Sequence, residues 1–239
     1  MSFDMIREAD GVWRIKGLVA DCLNVYLAGD VLIDAATRWH TWYLLRKLHG
    51  HKLSALALTH CHPDHQGAAW FFSRKFGIPL ACHVADVPAM EGTGPMLPKT
   101  LIVHGLGRLI AGPPSKVKRV LKEGDTVGDF RVVHAPGHTP GHVIYFREAD
   151  RVAICGDVLA NISFVTLRPG LRLPPSAFCT DPMQNLRSAE LLANLNPSLV
   201  CFGHGPPLHR IEQLHWFVER MRLRVAKRAA ESGSRLSQP

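Results

Sequence analysis

The sequence predicts a single layered α/β domain. Short apolar runs with strand character alternate with helical patterns along the whole chain. The length of 239 residues and the 46% hydrophobic content are enough for one large core, and no linker or repeat divides the chain. Four of the strand-like runs end in metal-binding side chains. The domain is expected to span residues 1–230, with residues 231–239 as a flexible polar C-terminal tail.

In order, Val12 to Ile15, Cys22 to Ala28 and Val31 to Asp34 read as an opening β-meander. Trp42 to His49 reads as a short helix. Leu53 to Thr59 is apolar and free of Gly and Pro, a buried strand. A helix follows from Gln66, ended by Gly77. Ile78 to Cys82 is a further strand. Asp86 to Ser115 is rich in Gly, Pro and Met, with a helix from Lys99 to Ile110. Arg131 to Ala135, Val143 to Phe146 and Val152 to Cys155 are strands. Leu159 to Thr180 reads as loop, then Met183 to Leu195 as a helix with Asp181 near its start, and Leu199 to Phe202 as a strand. Ile211, Leu214, Val218, Met221 and Val225 recur at helical spacing, so the C-terminal stretch is an amphipathic helix with Arg220, Arg222, Arg224, Lys227 and Arg228 on its outer face.

The metal-binding segments are His60-Cys61-His62-Pro63-Asp64-His65, His138 in Pro-Gly-His-Thr-Pro-Gly-His, Asp157 in Cys-Gly-Asp, and His204 in Phe-Gly-His-Gly. Five imidazoles and two carboxylates suffice for two divalent ions. Side chains two apart on an extended chain point the same way, so His60 and His62 can share an ion, while Cys61 points away as a packing residue. Pro63 ends the strand, and Asp64 and His65 turn toward a second ion. His40, His49, His51, His83, His104, His134, His142, His209 and His215 read as surface or core histidines. His142, inside the His138 loop, is expected to make a structural hydrogen bond.

From about Val12 to His204 the segments resemble the metallo-β-lactamase superfamily of hydrolases in order and spacing. The resemblance implies a four-layer αββα sandwich of two mixed β-sheets with outer helices. It implies that His60, His62 and His138 hold one metal, that Asp64, His65 and His204 hold the other, and that Asp157 bridges. It also places an acidic residue at Asp34 to hold a ligand imidazole through its other ring nitrogen. The ions are expected to be Zn(2+), with Fe or Mn compatible with the oxygen ligands of the second site. The expected chemistry is hydrolysis of an ester-type bond, thioester or lactone, by hydroxide held in the dinuclear site, with Asp64 orienting the nucleophile or passing a proton.

Within the superfamily the His138 loop looks most like the glyoxalase II branch. After His204, however, the chain reads Gly-Pro-Pro-Leu where true glyoxalase II enzymes have Glu-Tyr-Thr, which speaks against glutathione thioesters. A mononuclear iron oxygenase resembling persulfide dioxygenases, a phosphodiesterase or nuclease, and a non-catalytic metal-binding protein are the alternatives. The loop-rich stretches flanking the ligands offer an apolar pocket around Met90, Met96, Leu97, Phe164 and Phe178.

Net charge is +8, and part of the excess lies on the C-terminal helix, which reads first as a solvated basic face and second as an attraction for an anionic small-molecule substrate; nucleic acid is not expected, since only 46 residues separate Asp157 from His204. No apolar stretch is long enough to span a membrane. The six cysteines are scattered without a CxxC pair, and the first residues carry no apolar signal core. Together these features give a cytoplasmic location as the expectation.

Overall fold

The computed structural model describes residues 5–17 and 21–236, with side chains described as far as residue 227. One sheet has seven strands in chain order: β1 (Ile6–Ala9), β2 (Val12–Lys16), β3 (Asn24–Ala28), β4 (Val31–Ile33), β5 (Ala55–Ala57), β6 (Leu80–His83) and β7 (Arg119–Leu121). Strands β1 to β4 pair antiparallel, and β4 to β7 pair parallel. The second sheet begins with β8 (Thr126–Val127), β9 (Phe130–His134), β10 (Val143–Arg147) and β11 (Val152–Gly156), all antiparallel. After a hairpin of β12 (Ala160–Ile162) and β13 (Pro169–Arg172), β14 (Leu199–Phe202) joins β11 in parallel.

Three apolar clusters define four layers. Between the sheets, Tyr26, Ile33 and Ala57 meet Val132, Tyr145 and Ile154. On the outer face of the first sheet, Leu56 and Leu80 pack with Leu44 of α1 (Thr41–Lys47) and Phe72 of α3 (Ala69–Phe76), which follows the one-turn helix α2 (Pro63–Gln66). On the outer face of the second sheet, Ile144 and Val200 pack with helices separated from them in sequence. Leu192 comes from α6 (Pro182–Asn194) and Leu214 from α7 (Ile211–Leu236). Between α3 and α6 lie α4 (Val87–Glu91) and α5 (Leu101–Ile110). The fold is the αββα sandwich. Both faces of each sheet are covered, which is why its central strands are apolar runs without alternation.

Two buried phenols fasten the sheets together at the edge where the ligands emerge. Tyr26 of β3 donates to the Phe202 carbonyl of β14 at 2.7 Å, and Tyr145 of β10 donates to the Leu58 carbonyl just after β5, also at 2.7 Å. A buried phenol needs such a partner, and each finds it on the opposite sheet.

The structure differs from the sequence reading in several elements. The helix expected from Gln66 divides into α2 and α3, because the N–H groups of Gly67 and Ala68 donate to the carbonyls of Ala36 and Ala35 at 2.7 and 3.2 Å instead of continuing the helix. Gly77 ends α3 in the left-handed conformation, with φ 64°. The stretch Leu159 to Thr180 contains the β12–β13 hairpin, whose Pro169, Gly170 and arginines gave no strand signal. Strands β1, β7 and β8 were also not anticipated; β7 is largely exposed and β8 is two residues long. Helix α7 continues to Leu236, through most of the stretch read as a polar tail. Residues 237–239, the end of that stretch, lie outside the described residues. Asp181 caps α6, its carboxylate accepting from the N–H groups of Met183 and Gln184 at 2.9 Å. Among the described residues no helix is long and apolar enough to cross a membrane. All six cysteines are free thiols, five of them buried.

Candidate metal centre

The ligand-type side chains share one edge of the sandwich because their strands end there. His60 and His62 follow β5. Pro63 opens α2, whose first turn carries Asp64 and His65. His138 lies in the β9–β10 connection, Asp157 directly follows β11, and His204 follows β14, the parallel neighbour of β11. Gly156 permits the close approach of these segments. It has φ 49°, and a Cβ there would stand 2.7 Å from the Thr59 hydroxyl and 2.8 Å from His142 Nε2.

All seven residues nominated from the sequence fall in this patch. The ligand atoms of His60, His62 and His138 lie within 4.8 Å of one another, and so do those of Asp64, His65 and His204. Asp157 reaches both sets. Its Oδ2 is 3.6 Å from His138 Nε2 and 3.0 Å from His204 Nε2, and its Oδ1 is 3.5 Å from His65 Nε2.

The outward nitrogens of the rings are held by the protein. His65 Nδ1 donates to Asp34 Oδ2 at 2.9 Å, and His204 Nδ1 donates to the Cys22 carbonyl. The Thr59 hydroxyl gives its one proton to Asp34 at 2.8 Å, so it accepts from His60 Nδ1 at 3.1 Å. His138 Nδ1 is 3.6 Å from the Cys179 thiol. His62 is turned the other way: its Nε2 donates to the Leu97 carbonyl at 2.7 Å, leaving Nδ1 for the centre. Inside the ring of ligands, His60 Nε2, His65 Nε2, His138 Nε2 and Asp157 Oδ1 are buried without a hydrogen-bond partner. Unpartnered buried polar atoms are costly, and four in one cluster call for a cation. The donor set, with each imidazole oriented through its other nitrogen, fits a pair of divalent ions.

The electrostatics divide the cluster. Burial, together with the surrounding imidazoles, holds His60 and His138 well below the usual histidine range. Burial also lowers His62. Neutral imidazole is the form that ligates a metal. Burial opposes protonation of His65 and His204 too, but the carboxylates beside them outweigh it. Asp157 and Asp34 raise His65, and Asp157 with Asp64 pushes His204 up to about 10. Asp157 is driven below the carboxylate range by His204 and His65 in spite of its burial.

Other side chains complete the scaffold. His142 Nε2 accepts the Asp157 N–H at 3.0 Å, the structural bond expected of it. Cys61 points into the core beside Met90. Asp86 was missed by sequence reasoning. It is buried and accepts three hydrogen bonds at 2.8 Å, from the Cys61 N–H, the Thr139 hydroxyl and the Gly141 N–H. One carboxylate thereby joins the His60–His62 segment to the His138 loop. A single acid after a strand carries no pattern that could have marked it.

A cavity of about 650 Å³ opens over the cluster. Val103, Leu106 and Ile110 of α5 face Ile162, Phe164 and Phe178 across it, with His62, Asp64, Asp157 and His204 at its base. Phe164 and Phe178 are where the sequence reading placed them. Met90 is instead 1% exposed in the core under the first sheet, and Leu97 contributes its carbonyl to His62.

Residues 24–204 match the domain described as the Metallo-beta-lactamase superfamily. The chain is similar to two probable metallo-hydrolases of Bacillus subtilis. YflN is 27% identical over 223 residues, 81% of this chain and 84% of that protein. YybB is 28% identical over 162 residues, 67% and 68% respectively. Hydroxyacylglutathione hydrolase GloC of Haemophilus influenzae is 34% identical over 112 residues, 45% of this chain and 50% of that one. Among solved structures, TTHA1623 in a di-iron-bound form is similar with a TM-score of 0.60 and 30% identity, over 82% of this chain and 93% of that one. BJP-1, a subclass B3 metallo-beta-lactamase of Bradyrhizobium japonicum, matches in fold with a TM-score of 0.68 and 21% identity, over 98% and 97%. Four layers, a ligand cluster at their common edge and the domain match lead to one assignment: this chain belongs to the metallo-β-lactamase superfamily, as a metallo-hydrolase.

Proposed function

We propose that the protein hydrolyses an ester-type bond in a small molecule, a thioester in the first instance and a lactone in the second. His60, His62 and His138 would hold one divalent ion and Asp64, His65 and His204 the other, with Asp157 shared. The observation that carries this reading is the pair of three-residue ligand sets joined by Asp157 at the base of an apolar cavity. The hydroxyacylglutathione hydrolases among the relatives support thioester chemistry. Zinc suits the imidazole-rich set; the di-iron form of one structural neighbour keeps iron as the second choice.

Divalent ions bound here supply a Lewis acid and lower the pKa of a coordinated water to about 7. The remaining work falls to the chain. Asp64 is the most exposed of the ligand-type residues, with 28% of its side chain accessible, and it faces the cavity. His204 and His65 keep it ionised against its burial, so it can orient a nucleophile by accepting a hydrogen bond from it. The apolar walls from α5 and the β12–β13 hairpin bind the acyl part and exclude bulk water.

The three continuous core clusters support a single domain over residues 1–230. The scattered, buried free thiols support action in the cytoplasm. The test is elemental analysis of the purified protein followed by assay on thioester, lactone, phosphodiester and β-lactam substrates. Two equivalents of metal with turnover of thioesters or lactones is the expected result. Turnover confined to phosphodiesters or β-lactams, or oxygen uptake with one iron, would replace it.

A further inference from the structure

Beside the metal cavity lies a second groove of about 600 Å³, formed between β13 and α7. Arg172 and Leu173 line both hollows, so the two lie side by side. Their chemistry differs. Aliphatic and aromatic side chains dominate the walls of the metal cavity, whereas the groove sets Arg220, Arg224 and Trp216 beside the shared Arg172, among the apolar Leu171, Phe217 and Met221. Positions 216, 220 and 224 recur every four residues and so share one face of α7.

None of these three arginines has an acidic partner among the described residues. The neighbouring Arg222, by contrast, is paired with Glu219 at 3.2 Å. Trp216 is 63% exposed, and the Arg220 guanidinium lies over its ring at 5.1 Å. Unpaired guanidinium groups bind phosphate oxygens in bidentate fashion, and an accessible indole offers a face on which a base can stack. The metal cavity alone is large enough for a small substrate, since ligand pockets span about 300–1,000 Å³. The groove therefore adds room for a second, anionic part of the same molecule.

We propose that this groove binds the phosphate-bearing carrier of the substrate, and that the preferred substrate is an acyl thioester of a nucleotide-type thiol, the chemical class of coenzyme A. The inference rests on the thioester reading of the metal site. The acyl group occupies the apolar cavity, the thioester carbon sits over the ligand cluster, and the carrier leaves past Arg172 with its phosphates on Arg220 and Arg224. Water adds to the carbonyl carbon, the C–S bond breaks, and the products are the carboxylic acid and the free thiol.

The experiment compares hexanoyl-coenzyme A with hexanoyl-N-acetylcysteamine, which has the same scissile bond and no carrier, on metal-loaded protein. It also titrates adenosine 3′,5′-bisphosphate calorimetrically into the same protein. The expected result is a higher kcat/KM for the coenzyme A ester and measurable bisphosphate binding. In the Arg220→Ala/Arg224→Ala variant that preference should fall about tenfold or more, through KM, and bisphosphate affinity should fall in parallel. Equal kcat/KM on the two esters, or bisphosphate binding untouched by the double substitution, overturns the carrier site and leaves the thioester reading standing. Hydrolysis of neither ester overturns the thioester reading and, with it, the acyl-carrier substrate.

Discussion

Asp34 Oδ2 accepts the Nδ1 proton of His65 at 2.9 Å, across 31 residues of sequence. The same carboxylate accepts the N–H and the hydroxyl of Thr59, each at 2.8 Å, and that hydroxyl accepts from His60. One side chain thus orients an imidazole of each ligand set. Asp34 holds this position with φ 63°, a left-handed conformation that a non-glycine residue keeps only when its surroundings enforce it.

Asp34→Ala should therefore loosen metal at both positions. Loss of such an outer partner typically weakens metal affinity by about 10–100-fold. Competition against a chromophoric chelator measures it. Wild-type affinity in the variant would show that Asp34 serves only the strand end.

Asp157→Ala and His142→Ala make a contrasting pair. Removing Asp157 takes away the carboxylate that reaches both sets, so metal content should drop below two equivalents and activity should be lost. Removing His142 deprives the Asp157 N–H of its acceptor, at a cost of about 1–3 kcal/mol in stability, while both metals remain. Elemental analysis and thermal unfolding of the two variants separate these outcomes. Full metal occupancy in Asp157→Ala would end the bridging role.

Asp86→Ala leaves three buried donors unsatisfied in the segments that carry His60, His62 and His138. A loss of about 3 kcal/mol or more is expected, since hydrogen bonds to a charged group contribute about 1.5–3 kcal/mol each. Asp86→Asn, which retains one acceptor oxygen, should lose less. Calorimetric unfolding of the metal-free proteins is the measurement, and equal stability of all three would contradict the assigned role.

His83 and His134 stack with ring centroids 4.0 Å apart, outside the ligand cluster. Burial, helped by the His134 imidazole, lowers His83 to about 4 from an ordinary 6.5. Between these values the unfolded chain binds a proton that the folded chain does not. The contribution is complete above about pH 6.5 and declines as pH falls toward about 4. Denaturant unfolding from pH 7 to 4.5 should show a shallower acid loss for His83→Gln than for wild type. Identical slopes would exclude His83 as a source.

Activity should rise from about pH 5.5 to a plateau near about pH 7–8, because protons compete with metal for the imidazoles and the nucleophile must ionise. Added zinc should recover part of the acid loss if metal release is the cause. A maximum near pH 5 with metal retained would require carboxylate-driven chemistry instead.

The ligand residues were legible because their information is local. His60 to His65 sit within one strand-turn-helix passage, and His138, Asp157 and His204 each stand at the glycine-marked end of an apolar run. Period-two alternation, Pro63 and the cap at Asp181 act between near neighbours, so the chain specifies them by itself. Tertiary structure alone decided what depends on distant segments meeting. The helix is interrupted at Gly67 because the carbonyls of Ala36 and Ala35 take up the N–H groups of Gly67 and Ala68. Short strands such as β8 and β13 exist through pairing rather than propensity. Asp86 has a role only because Cys61 and Gly141 bring their N–H groups to it, and Arg172 borders two hollows only because α7 lies across a groove from β13. Donors, acceptors and cavity walls of this kind are properties of the assembled layers, created when the folding chain brings together groups that no local pattern connects.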